Sequence, residues 1–143
     1  MRTLNILWII IALSLAACGG AATPAASVAT GEKVVLDAGS YMDIDAAGLQ
    51  TMLSNKDFTF VNVHIPFEGD IAKTDLSIPY NEIDKHLDLL PAAKDAKIVL
   101  YCRSGRMSAI AAETLVGLGY TNVWNLKGGM VAWEKDGLPI EGK

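Results

Sequence analysis

The sequence predicts an α/β domain built on a mainly parallel sheet with helices on both faces. Three observations carry that expectation. Segments of strand character alternate with segments of helical spacing, the order that folds as strand–helix–strand units. The four residues after Lys97, Ile98-Val99-Leu100-Tyr101, are an unbroken apolar run, as expected of a strand covered on both faces. A chain of 143 residues with 51% hydrophobic and 20% charged side chains suits one globular domain with some chain to spare, and its composition is globular rather than disordered.

The elements follow in order. Tyr41 to Ile44 is a short strand candidate. Asp45 is a good helix N-cap, and Leu49, Met52 and Leu53 form an apolar stripe behind it. Phe58 to Val63 alternates as a strand. Glu82 to Leu90 reads as a helix, because Ile83, Leu87 and Leu90 fall at helical spacing and Pro91 follows. Lys97 to Tyr101 is the buried strand. A helix is expected from Arg106 to Leu118, with Ile110, Ala111, Leu115 and Leu118 on one face and Gly119 as its stop. Val123 to Leu126 is a further strand and Met130 to Lys135 a last short helix. No internal repeat is present.

The start of the chain is of another kind. Arg2 supplies one positive charge, Ile6 to Leu13 is unbroken apolar, and small residues follow. That core is too short for a bilayer-spanning helix and has the form of a secretory signal. Leu15-Ala16-Ala17-Cys18 resembles the lipobox of bacterial lipoproteins. The resemblance implies cleavage after residue 17, acylation of Cys18, and an extracytoplasmic, lipid-anchored place in the cell envelope. Residues 18–33 read as acylated Cys and flexible tether, and residues 34–143 as the folded domain. The acidic balance, −4 overall, gives no basic face for nucleic acid, and any membrane attachment rests on the lipid.

The chemistry is expected where a buried strand runs into a helix. That point is Tyr101-Cys102-Arg103-Ser104-Gly105-Arg106-Met107-Ser108. Cys102 leaves a rigid strand, and Gly105 permits a tight turn. The following helix offers free N–H groups and the positive end of its dipole. Arg103 and Arg106 add fixed charge. Together these favour the thiolate, the nucleophilic form of Cys102. Cys102, His64 and His86 show no metal-ligand spacing, and neither a metal nor a cofactor is expected. His86 is read as solvated.

This loop, followed by Gly119-Tyr120 and by Lys127-Gly128-Gly129-Met130-Val131-Ala132-Trp133, resembles a single-domain rhodanese over about Tyr41 to Ile140. The resemblance implies a five-stranded, mostly parallel sheet between helices. It also implies a sulfurtransferase in which Cys102 takes a sulfane sulfur from thiosulfate, polysulfide or a persulfide and passes it to a thiol or cyanide. Loop N–H groups from Arg103 to Met107 would form an anion nest around the sulfur. Arg103 and Arg106 would draw in an anionic donor, Ser104 and Ser108 could donate hydroxyl hydrogen bonds, and Met107 would lie at the rim. Lys127 to Trp133 would frame the back wall, with Trp133 in the core.

Two departures from the family pattern bear on activity. Met107 stands where the family often has Arg or Thr, which disfavours thiosulfate relative to polysulfide. Asn62-Val63-His64 and Gly69-Asp70-Ile71 stand where Asp-Val-Arg and Gly-His-Ile are usual, so an ion pair near the site is expected to be missing. A Cys-based phosphatase needs Arg six places after its Cys; Ser108 stands there. The alternative from another class is a membrane-tethered sulfur-carrying or sulfur-binding module without turnover, held beside a membrane redox partner.

Overall fold

The computed structural model describes residues 30–143. The expected signal peptide 1–17, the expected acylation site Cys18 and the tether to residue 29 lie outside the described residues. Among the described residues no helix is long and apolar enough to cross a membrane.

The chain runs through β1 (Glu32–Leu36), β2 (Gly39–Ile44), α1 (Ala46–Ser54), β3 (Thr59–Asn62), β4 (Leu76–Ser77), two single 3-10 turns (Ile83–Lys85 and Leu87–Leu89), β5 (Ile98–Tyr101), α2 (Arg106–Gly117), β6 (Val123–Leu126) and α3 (Gly129–Lys135). The strands form one sheet in the order β1-β2-β6-β5-β3-β4. Only the β1–β2 pair is antiparallel; every other neighbour runs parallel.

Side-chain alternation along the central strands builds two cores. Ile98 and Leu100 of β5, with Val61 of β3, face Ala111, Ala112, Leu115 and Val116 of α2. Val99 and Tyr101, with Phe60, face Leu49 and Leu53 of α1 and Met130 and Trp133 of α3. All four β5 residues are fully buried, which explains the unbroken apolar run: both faces need apolar side chains. Asp45 caps α1 as expected, its Oδ1 accepting from Gly48 N at 2.8 Å.

The structure corrects the sequence reading in three places. The sheet has six strands, not five, because β4 adds two residues beside β3. The fold begins at Glu32, two residues ahead of the expected boundary at 34, because β1 pairs with β2 through backbone groups while most of its side chains face solvent. Glu82 to Leu90 is not a helix. His86 sits between the two 3-10 turns at φ −121°, ψ 34°, and the turns lay Ile83, Leu87 and Leu90 onto the α2 side of the sheet. A helix would present the same three residues, so their spacing does not separate the two outcomes.

Candidate active site

Cys102 directly follows β5 and continues its alternation, so its side chain joins Ile98 and Leu100 on the α2 face. There Gly105 N donates to Cys102 Sγ at 3.1 Å and Ser108 Oγ lies 3.4 Å from the same sulfur. Ser108 is fully buried, and its Oγ is also 3.2 Å from Gly105 O. Its single proton serves one acceptor at a time, and a thiolate is the stronger acceptor. Gly105, at φ +88°, closes the turn and sits at the N-cap of α2, so the positive end of that helix faces the sulfur. Cys102 itself is 1% exposed.

A second glycine turn holds this loop in place. Met130 N donates to Cys102 O at 2.9 Å and Val131 N to Arg103 O at 3.0 Å. The free N–H groups of the first turn of α3 thus satisfy the carbonyls of the Cys loop. The approach is close: a Cβ on Gly129, at φ +58°, would stand 2.2 Å from Cys102 O. A Cβ on Gly105 would stand 2.9 Å from Gly128 N. The Gly128-Gly129 segment is therefore the back wall expected from the sequence. Trp133 is core, its Nε1 donating to Pro139 O at 3.0 Å.

The charged groups are arranged differently from expectation. Arg103 is exposed, and its Nη1 donates to Glu68 Oε2 at 2.6 Å. The Arg103 hydrogen bond holds the Glu68 carboxyl below the usual carboxylate range. His64, 8% exposed, brings Nε2 within 3.2 Å of the same Glu68 oxygen, yet neither ring nitrogen meets hydrogen-bond geometry. An ion pair does stand at the site, supplied by Glu68 rather than by the strand end. Asn62 instead braces the following loop: its Nδ2 donates to Gly69 O and Asp70 Oδ1, and its Oδ1 accepts from His64 N. Tyr101 OH donates to Asp70 Oδ1 and accepts from Ile71 N, and burial pushes the phenol well above its ordinary value.

The loop residues singled out in the sequence divide accordingly. Gly105 and Ser108 meet the sulfur. Arg106 is exposed and has no ion pair among the described residues. Ser104 is exposed and its hydroxyl does not reach the sulfur. Met107 is half-buried against the α2-side core, so it packs into the wall instead of standing free at the rim. His86 is half-exposed, 4.0 Å from Glu82 Oε2. A cleft of about 350 Å³ opens at Arg103, lined also by Phe67, Glu68, Met130, Glu134, Gly142 and Lys143. Sequence reasoning missed Glu68 and Phe67, which lie on irregular chain with no periodic signal.

The arrangement suits a buried nucleophilic sulfur whose negative charge is met by a backbone N–H, a hydroxyl and a helix terminus. The model of the rhodanese-like domain matches residues 49–136. A sulfurtransferase of Allochromatium vinosum is 37% identical over 102 residues, covering 68% of this chain and 92% of that protein. A tRNA uridine(34) hydroxylase of Erwinia tasmaniensis is 30% identical over 117 residues, and there the chain spans 33% of the relative's length. The crystal structure of a rhodanese-related protein from Thermoplasma volcanium superposes with TM-score 0.58 at 34% identity, covering 68% of this chain and 95% of that one. With the matched residues enclosing the Cys102 loop, its supporting glycines and the sheet beneath them, the chain belongs to the rhodanese-like domain family.

Proposed function

We propose that the protein is a sulfurtransferase that moves a sulfane sulfur through a persulfide on Cys102. The observation that carries this reading is the pair of donors, Gly105 N and Ser108 Oγ, aimed at one sulfur at the start of α2. The Cys102 thiolate attacks the outer sulfur of a donor such as thiosulfate, polysulfide or an organic persulfide. A bond forms between Sγ and that sulfur, the donor's S–S bond breaks, and sulfite, a polysulfide one sulfur shorter, or a thiolate, respectively, leaves with the electron pair. An acceptor thiolate or cyanide then attacks the outer sulfur of the persulfide, forming a new persulfide or thiocyanate and returning Cys102 as thiolate. No net oxidation occurs and no cofactor is needed. Gly105 N–H and the helix terminus hold negative charge on sulfur at both stages.

Native attachment is part of the same proposal. Acylation of Cys18 would hold the domain at an extracytoplasmic membrane face, and each buried acyl CH₂ contributes about 0.8 kcal/mol. The native protein should partition into detergent, and Cys18→Ala should abolish this.

A second reading, a sulfur-carrying module for a membrane redox partner, is favoured by the burial of Cys102. Steady-state rates with thiosulfate or polysulfide as donor and cyanide or a thiol as acceptor separate the two. Repeated turnover, lost in Cys102→Ser, supports the enzyme. A persulfide formed once per chain without turnover supports the carrier, and no persulfide with any donor overturns both.

A further inference from the structure

Both cations lining the cleft that opens at Arg103, the residue that follows Cys102, are already paired with carboxylates. Arg103 Nη1 lies 2.6 Å from Glu68 Oε2, and Lys143 rests on Glu134. Glu68 comes from the irregular segment between β3 and β4, and it also has His64 Nε2 within 3.2 Å. Arg106, without an ion pair among the described residues, is not part of the cleft lining. The remaining walls are apolar, with Phe67 56% exposed and Met130 at the base.

We propose that Glu68 is a specificity-determining residue: by occupying the Arg103 guanidinium it disfavours sulfonate-bearing donors and selects organic persulfides, whose leaving group is a thiolate. This rests on the sulfur-transfer reading above.

The reasoning is electrostatic. When the outer sulfur of thiosulfate reaches Sγ, its trailing sulfonate must lie beside the loop. A sulfonate drawn to Arg103, the residue next to the nucleophile, must either displace the carboxylate from the guanidinium or sit next to it. The first loses a charge-assisted hydrogen bond, and the second places like charges together. Held low by Arg103, the Glu68 carboxyl stays ionised at neutral pH. An organic persulfide carries no sulfonate and meets neither cost. The Glu68–Arg103 pair is exposed and contributes little to stability, so a Glu68→Gln protein folds and its effect is read in donor choice.

The test uses initial rates of wild type, Glu68→Gln, Arg103→Gln and the double variant. The donors are thiosulfate and the persulfide of 2-mercaptoethanol, and thermal unfolding confirms that each protein is folded. Glu68→Gln should raise the thiosulfate-to-persulfide ratio of kcat/KM by about tenfold, the scale of one charge-assisted hydrogen bond. The change should fall mainly on the KM for thiosulfate. Because Glu68 acts through Arg103, the gain should vanish in the Arg103→Gln background. A ratio unchanged in Glu68→Gln, or an equal gain without Arg103, overturns the inference. Failure of Cys102 to take sulfur from either donor in any of the proteins overturns the sulfur-transfer reading first, and this inference with it.

Discussion

Gly129→Ala should damage stability and sulfur transfer together. At φ +58° an L-residue loses roughly 1–2 kcal/mol against the right-handed conformation. The new methyl would also stand 2.2 Å from Cys102 O and 2.6 Å from Arg103 C and O, all backbone atoms of the catalytic loop. Relieving that overlap costs about 1–3 kcal/mol more. The sum, about 2–5 kcal/mol, lowers Tm by on the order of 10 °C or more in a domain of this size. Gly119→Ala is the matched control. Its φ is +89°, but a Cβ there meets no heavy atom within 4 Å, so only the backbone cost applies. The loop that yields to the added methyl carries Cys102, and a displacement approaching 1 Å costs about a hundredfold in rate. Differential scanning calorimetry and single-turnover sulfur transfer on both variants provide the comparison. If Gly129→Ala matches Gly119→Ala in Tm and in transfer rate, the interlock between the two glycine turns does not hold the loop.

Three further changes have worked outcomes. Ser108→Ala removes the hydroxyl 3.4 Å from Sγ while Gly105 O keeps the Ala109 N–H, so alkylation of Cys102 at neutral pH should slow about fivefold with Tm nearly unchanged. Tyr101→Phe leaves Ile71 N without its acceptor and Asp70 Oδ1 with Asn62 Nδ2 as its remaining side-chain donor, costing about 1–3 kcal/mol by denaturant unfolding. Burial holds the Tyr101 phenol above its ordinary value of 10.0, so both states are protonated below that pH and the unfolded chain ionises first above it; wild-type stability should therefore fall as pH rises past 10, and the Phe variant should lose less. Gly117→Ala, at the end of α2 with open space around it, should stabilise by about 0.5–1 kcal/mol in the same assay.

The parts of the fold that bury side chains on a regular period were legible in the sequence. The unbroken run at Ile98–Tyr101 reflects two faces that must be apolar, and of the stripe expected on α2 Ala111 and Leu115 are buried, while Ile110 and Leu118 are exposed and Ala112 and Val116 complete the buried face instead. The Cys102 loop was legible because strand end, glycine turn and helix start are contiguous in the chain. What was not legible is held by backbone pairing or by distant partners. The edge strand β1 exposes most of its side chains and so leaves little apolar pattern. The strand β4 is two residues long. Ile83, Leu87 and Leu90 are presented equally well by a helix or by two tight turns. Glu68 reaches Arg103 across 35 residues of sequence from an irregular loop. Met107 lies where loop spacing suggests a rim, but α2 turns it partly into the core.

Intact-mass measurement after exposure to polysulfide or thiosulfate, on wild type and on Cys102→Ser, tests the central claim most directly. The account predicts that wild type gains the mass of one sulfur atom, that a thiol or cyanide removes it, and that Cys102→Ser, which keeps Cys18, gains none. A wild-type protein that gains no sulfur, or a Cys102→Ser protein that gains as much, would contradict it.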